Sequence, residues 1–181
     1  KEFPERFFEC GIAEANMAAI AAGLASAGKI PFASSFSAFI LNKGFEQLRV
    51  TAAFPKVNVK IVGTHSGISI GEDGPSQMGL EDLAMFRTIL NGVVLYPADA
   101  VSTEKLVEEA AKHPGIVYIR TTREATPILY RAEEDFVIGG SKVLRKDDGD
   151  RVTVVAAGVT LFEALGAYEE LKKKGILIRV I

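Results

Sequence analysis

The loop at residues 63–79 constrains this chain most: it holds five glycines and Pro75 and follows directly on the apolar run 57–62. Glycine and proline at that density end regular structure. The strand-like run must therefore open into a loop at its C-terminal end. Apolar patterning around it alternates between helical and strand-like. Residues 14–27 read as a helix closed by Gly28, and 30–33 as a short strand. Residues 36–53 read as a helix interrupted near 42–44, and 57–62 as a strong strand. Then come a helix at 80–90, a strand at 93–96, a helix at 99–113 and a strand at 116–120. This order predicts an α/β fold of three layers, with a mainly parallel sheet and helices on both faces. Such sheets bind ligands at loops beyond the strand C-termini. The loop 63–79 is the predicted site.

The chain has 181 residues, enough for one domain and part of a second. A polar break at 139–150 precedes a fresh strand at 152–156 and a fresh helix at 161–174. Residues 1–140 read as one domain. Residues 141–181 read as the opening of another, stopping inside an apolar strand as a truncated piece of a longer polypeptide would. The hydrophobic share of 48% supports a sizeable core, and a net charge of -2 argues against nucleic acid. No apolar run reaches the ~20 residues of a membrane span, and residues 1–10 do not read as a signal peptide. Cys10 is the single cysteine, so it forms no internal disulfide, which agrees with a reducing cytoplasm. One Cys and two His exclude a thiolate zinc site, and no metal ligands are assigned.

Glu14 opens an otherwise apolar helix. The plain reading is a carboxylate favoured by the helix dipole. The alternative is a carboxyl that exchanges a proton with a bound ring. Phe36 and Phe39, three residues apart, read as one helical face that either packs in the core or stacks on a flat ligand. His65 lies just past a strand in the glycine-rich loop, where an imidazole can donate to oxygens or shuttle a proton. Asp73 precedes Gly74-Pro75, which suits an Asx turn as well as a ligand contact. Arg120 and Arg123 close a strand, and a guanidinium fork suits phosphate. His113 precedes Pro114 and reads as a helix-end residue.

These segments together resemble transketolases. The loop GTHSGISIGEDGPSQM resembles their substrate loop, and ECGIAEANM their thiamine-activating motif. PFASSFSAF resembles their aromatic pyrimidine pocket, and YIRTTR their phosphate-binding strand end. The resemblance implies the thiamine diphosphate-binding pyrimidine-domain fold for 1–140 and the start of the transketolase C-terminal domain for 141–181. It implies that Glu14 contacts the pyrimidine ring nitrogen N1′ and that Phe36 and Phe39 line the pyrimidine pocket. His65 is implied as catalytic and, with Asp73 and Gln77, as sugar-binding. Arg123 is implied to hold the substrate phosphate. Around Asn42 the spacing departs from the family, which often has an aromatic residue there. The implied activity is transfer of a two-carbon ketol unit between sugar phosphates in the pentose phosphate pathway. Implied too are Mg²⁺ or Ca²⁺ held by a separate diphosphate-binding domain of a second subunit, a homodimer at full length, and no turnover by this chain alone. Two rival readings are a deoxyxylulose-phosphate synthase-like enzyme and a non-catalytic assembly module of the same fold.

Overall fold

A computed structural model describes residues 2–181; Lys1, the first residue of the domain read as 1–140, lies outside the described residues. A helix α1 (Glu14–Ser26) leads to a strand β1 (Phe32–Phe36), then α2 (Ser37–Gln47) and a π-helical segment (Leu48–Ala53). Next come β2 (Lys60–Thr64), a 3-10 segment (Ile68–Asp73), α3 (Asp82–Arg87), β3 (Val93–Leu95), α4 (Ala100–Lys112) and β4 (Val117–Arg120). The chain closes with β5 (Val152–Val154), α5 (Thr160–Lys173) and β6 (Ile178–Val180).

The first four strands form one sheet in the order β1-β2-β4-β3, with every pair parallel. Side chains of a strand alternate between faces, and the core divides accordingly. Ile61 and Tyr118 pack with α1, α2, the π segment and Phe86 of α3. Their neighbours Val62, Val117 and Ile119 pack instead with Leu106, Val107 and Ala110 of α4. The sheet is therefore covered on both faces, as the alternating pattern predicts. The β5-β6 pair forms a separate parallel sheet with its own core around Leu161, Tyr168, Ile178 and Val180.

Two elements differ from the sequence reading for physical reasons. The predicted break near 42–44 is absent, and α2 runs through it. Gly44 is there for contact: an added Cβ would lie 3.4 Å from the Glu14 carbonyl oxygen, so the glycine lets α2 approach α1. The irregularity comes later, in the π segment at Leu48–Ala53. The first strand runs to Phe36, beyond the predicted 30–33, because Ser34 and Ser35 pair in register with Val62 and Gly63. Two polar residues hid it from the apolar pattern. Phe36 accordingly ends a strand and caps α2 with extended dihedrals (φ -60, ψ 139), so it does not share a helical face with Phe39.

The strand order places the site. β2 lies between β1 and β4, so the C-terminal ends of all three open side by side. Register sets Phe36 beside Thr64 and Gly63 beside Arg120. The glycine-rich loop after β2 thus begins between the β1–α2 junction and the segment that carries Arg123.

Candidate functional site

Glu14 occupies the first turn of α1 and is only 6% exposed. Ala13 supplies no side-chain cap, and Glu14 is the acidic residue of the first turn. Ser35 donates its hydroxyl to Glu14 Oε1 at 3.3 Å, and Lys43 Nζ stands 3.7 Å from Oε2. Neither contact saturates the four lone-pair positions of an ionised carboxylate. A buried acid with spare acceptor capacity can receive a ring N–H or give a proton to a ring nitrogen. A groove of about 790 Å³ runs along the outer side of Glu14, lined by Phe8, Cys10, Met17, Phe32, Ser34 and Ser35 among others. Phe36, Phe39, His65, Asp73 and Arg123 do not line it.

The aromatic cluster follows from the strand register. The Phe36 and Phe39 rings are parallel within 3° at 5.6 Å between centroids. The His65 ring stacks on Phe36 at 3.9 Å and 12°. His65 is held there by a left-handed backbone (φ 56) and by contact of its Nδ1 with Thr64 Oγ1 at 3.0 Å. That backbone conformation is uncommon for a residue with a side chain, and it goes with an imidazole set over the Phe36 ring. Lys43 lies over the Phe39 ring at 4.9 Å, which links the cluster to the Glu14 carboxylate. Asn42 is exposed and takes no part in these ring contacts.

The base of the loop is tightly fixed. Gly67 donates its N–H to the Gly79 carbonyl at 2.9 Å, and Ser66 and Thr121 tie the loop to the end of β4. Gly63 and Gly79 are required by packing: a Cβ on either would come within 3 Å of Tyr118 or Ser37 atoms. Beneath them Asp82 receives three donors. Tyr118 and Arg120 Nε each bond to Oδ2 at 2.7 Å, and Arg120 Nη2 reaches Oδ1 at 3.4 Å. Arg120 Nη2 also bonds to the Gly79 carbonyl at 3.1 Å, and its guanidinium lies 4.5 Å over the Tyr96 ring. Burial and then the Asp82 charge push the Tyr118 hydroxyl well above the usual phenol range. Burial is the largest influence on the Arg120 pKa and acts to lower it, but the Asp82 hydrogen bond and the charges of Asp82, Tyr96 and Tyr118 together outweigh it, so the net shift is upward.

Arg123 has different surroundings. Its guanidinium is partly open to solvent and faces the loop tip. Nη1 donates to the Ile70 carbonyl at 3.1 Å, Nη2 donates to Glu72 Oε1 at 2.8 Å, and Asp73 Oδ2 lies 3.7 Å from Nη1. The Glu72 hydrogen bond, then the charges of Glu72 and Asp73, raise the pKa of Arg123.

The structure thus brings the sequence-selected residues into two groups. Glu14, Phe36, Phe39 and His65 gather at the ends of β1 and β2, with Ser35 and Lys43 as added partners. Asp73 meets Arg123 at the loop tip. Gln77 joins neither group through a contact of its side chain; its Oε1 accepts from the adjacent Ser76 hydroxyl. Sequence reasoning missed Ser35, Lys43, Glu72 and Asp82. Ser35 was readable only with the strand register, and Lys43 lies four residues after Phe39 on the same helix side. Asp82 gave no signal beyond opening a helix. Among the described residues, no group of three or more His, Cys, Asp or Glu side chains is placed to hold a metal, and no helix is long and apolar enough to cross a membrane.

Comparison with known proteins covers both parts of the chain. Residues 1–128 match the family model described as the transketolase pyrimidine binding domain, and residues 141–181 match that of the transketolase C-terminal domain. The chain is 57% identical over its whole length to transketolase-like protein 2 of Mus musculus and 53% identical to transketolase of Homo sapiens. It spans 29% of the length of each. A split-gene transketolase chain, described as an inactive beta4 tetramer, superposes with a TM-score of 0.88 at 43% identity, covering 98% of this chain and 57% of that one. A Pichia stipitis transketolase in complex with sedoheptulose 7-phosphate superposes with a TM-score of 0.83 at 29% identity, covering 94% of this chain and 25% of that one.

Proposed function

The chain belongs to the transketolase family, and we propose that it supplies the pyrimidine-side half of an active site that moves two-carbon ketol units between sugar phosphates. On this reading residues 1–140 are the pyrimidine-binding domain and 141–181 open the C-terminal domain. The cofactor is thiamine diphosphate, with its diphosphate and a Mg²⁺ or Ca²⁺ ion held by the diphosphate-binding domain of a second subunit in a cytoplasmic homodimer. The observation that carries the reading is the buried Glu14 carboxylate with unfilled acceptor positions at one end of a stacked aromatic cluster.

The residues present fit the cofactor's pyrimidine. Phe36 and Phe39 hold parallel rings faced by His65 and Lys43, and a flat heterocycle would stack on this cluster in place of one of them. Glu14 is the one carboxylate among the described residues that is buried beside this cluster, and it can hold and exchange a proton at a ring nitrogen. When bound, thiamine diphosphate supplies the nucleophilic carbon for ketose cleavage. Ser35 and Lys43 fix the Glu14 carboxylate in position. His65 and Asp73 hydrogen-bond sugar oxygens, His65 also relays protons, Gln77 adds a polar contact, and Arg123 receives the phosphate.

The test is Glu14→Gln in the assembled enzyme. Glutamine fills the same space and keeps the Ser35 contact but cannot exchange the proton. Ketol transfer should fall by at least about a hundredfold, the usual scale of a lost acid-base group. Deuterium exchange at the cofactor's reactive carbon should slow in parallel, while thermal stability changes little. Exchange at the wild-type rate in the variant would remove Glu14 from this role.

A further inference from the structure

Both terminal nitrogens of Arg123 already have a partner. The Ile70 carbonyl takes Nη1 and the Glu72 carboxylate takes Nη2, both from the same short 3-10 segment. That arrangement has a specific backbone cause. Gly71 sits inside the segment at φ 71 and ψ -111, a kink that sets the Ile70 carbonyl and the Glu72 side chain toward one guanidinium. The Ile70 side chain is 2% exposed and anchors the segment to the core. Gly67 and Gly74 flank the segment, both at φ 81.

Fold stability does not account for the pair. The Glu72 side chain is 80% exposed and that of Arg123 is 37% exposed. An ion pair that open to water is screened and adds little. What the pair does is present Arg123 to solvent with its charge already answered. Glu72 and Asp73 together place two carboxylates around one guanidinium, so an anion arriving at Arg123 meets local repulsion. A monoanion gains too little to displace Glu72. A phosphate monoester carries about 1.5 to 2 charges at neutral pH and three acceptor oxygens, so it can.

We infer that Glu72 is a specificity-determining residue: it occupies the anion position on Arg123 until a dianionic substrate phosphate displaces it. This rests on the proposal that Arg123 receives the substrate phosphate. Displacement frees the part of the segment from Gly71 to Gly74 to move, while Ile70 stays anchored. Asp73, at the C-terminal end of the same segment, is then released from Arg123 toward a sugar hydroxyl. Glu72 thereby couples recognition of the phosphate to the placement of Asp73.

Glu72→Gln in the assembled enzyme tests this, because the amide keeps the size and removes the competing charge. The substitution is on an exposed side chain and leaves the fold intact. One measurement compares KM for a ketose phosphate with KM for the same ketose without phosphate. A second uses titration calorimetry with inorganic phosphate, which reads binding without turnover. The expected result is a two- to fivefold lower KM for the phosphorylated ketose, the scale of an exposed competing ion pair. A matching fall in the dissociation constant for phosphate should accompany it, with the unphosphorylated ketose unaffected. Unchanged or weaker phosphate binding in Glu72→Gln would overturn the proposal, as would equal shifts for both ketoses. Arg123→Ala separates the two readings. If Arg123→Ala binds phosphate as the wild type does, the assignment of Arg123 falls and this proposal with it. If Arg123→Ala loses phosphate while Glu72→Gln leaves it unchanged, only the role of Glu72 falls.

Discussion

Replacing Asp82 by alanine tests how the site is held. The Asp82 and Arg120 side chains are 1% and 8% exposed, and among the described residues this carboxylate is the one paired with that guanidinium. Alanine leaves Arg120 with one carbonyl, Gly79, and the face of Tyr96. Breaking a buried pair from one side costs about 3–5 kcal/mol, because the remaining charge stays buried. The Tyr118 hydroxyl loses its acceptor too, which costs about 1–3 kcal/mol for an isolated buried donor. The two losses share one carboxylate and do not simply add, so about 3–6 kcal/mol is expected. For a chain of this size that lowers the melting temperature by roughly 10–20 °C. Urea unfolding at fixed protein concentration provides the assay, with Glu109→Ala at the exposed Lys112 pair as a control that should shift stability by less than about 0.5 kcal/mol. A double variant, Asp82→Leu with Arg120→Met, should recover stability relative to Asp82→Ala, because no unpaired charge remains. A loss under about 1 kcal/mol for Asp82→Ala would refute the idea that this ion pair holds the loop base.

Three further outcomes are expected. Arg123→Ala in the assembled enzyme should raise KM for phosphorylated sugars about tenfold to a hundredfold while sparing unphosphorylated ones; equal effects would indicate a structural role. The 181-residue chain alone should catalyse no ketol transfer and bind thiamine diphosphate with Mg²⁺ only weakly, since on the proposed reading it offers the pyrimidine side of the site alone; tight metal-dependent binding in calorimetry would contradict this. Burial lowers the pKa of Lys60 from 10.5 to about 8, so between those values the unfolded chain binds more protons than the folded one. Stability should therefore rise with pH across that window by about 1–3 kcal/mol relative to Lys60→Met, and a flat difference in urea midpoints would exclude it.

The layer architecture was legible because helical and strand periodicities alternate strongly, and because Val, Ile and Leu make up most of the runs 57–62, 93–96 and 116–120. Gly44 misled because a helix glycine reads as a breaker, whereas here it makes room for a neighbouring helix. The strand carrying Ser34, Ser35 and Phe36 was partly hidden because two of its residues are polar, and their pairing with Val62 and Gly63 shows only in the sheet register. Residue types at the site were readable one by one. Their partners were not, since Ser35 to Glu14 spans 21 residues and Arg120 to Asp82 spans 38. Contacts of that separation depend on strand order, which local patterning does not specify.

Arg120 and Arg123 show why strand order matters for function. They leave the same strand end three residues apart, and in sequence either suits a phosphate. Arg120 is the last residue of β4, so its side chain must follow the strand's alternation, which turns it into the layer between β4 and α3. There it is neutralised by Asp82 and committed to Gly79 and Tyr96. Arg123 lies past the strand, where no ladder fixes its direction, and its partners come from a glycine-flanked segment. A buried guanidinium locked by a carboxylate is poor at exchanging partners, because each exchange passes through an unpaired buried charge. An exposed one exchanges freely through water. The same residue type therefore fixes the base of the loop at one position and leaves its tip responsive at the other, which is the division a site needs to stay assembled while a charged substrate enters and leaves.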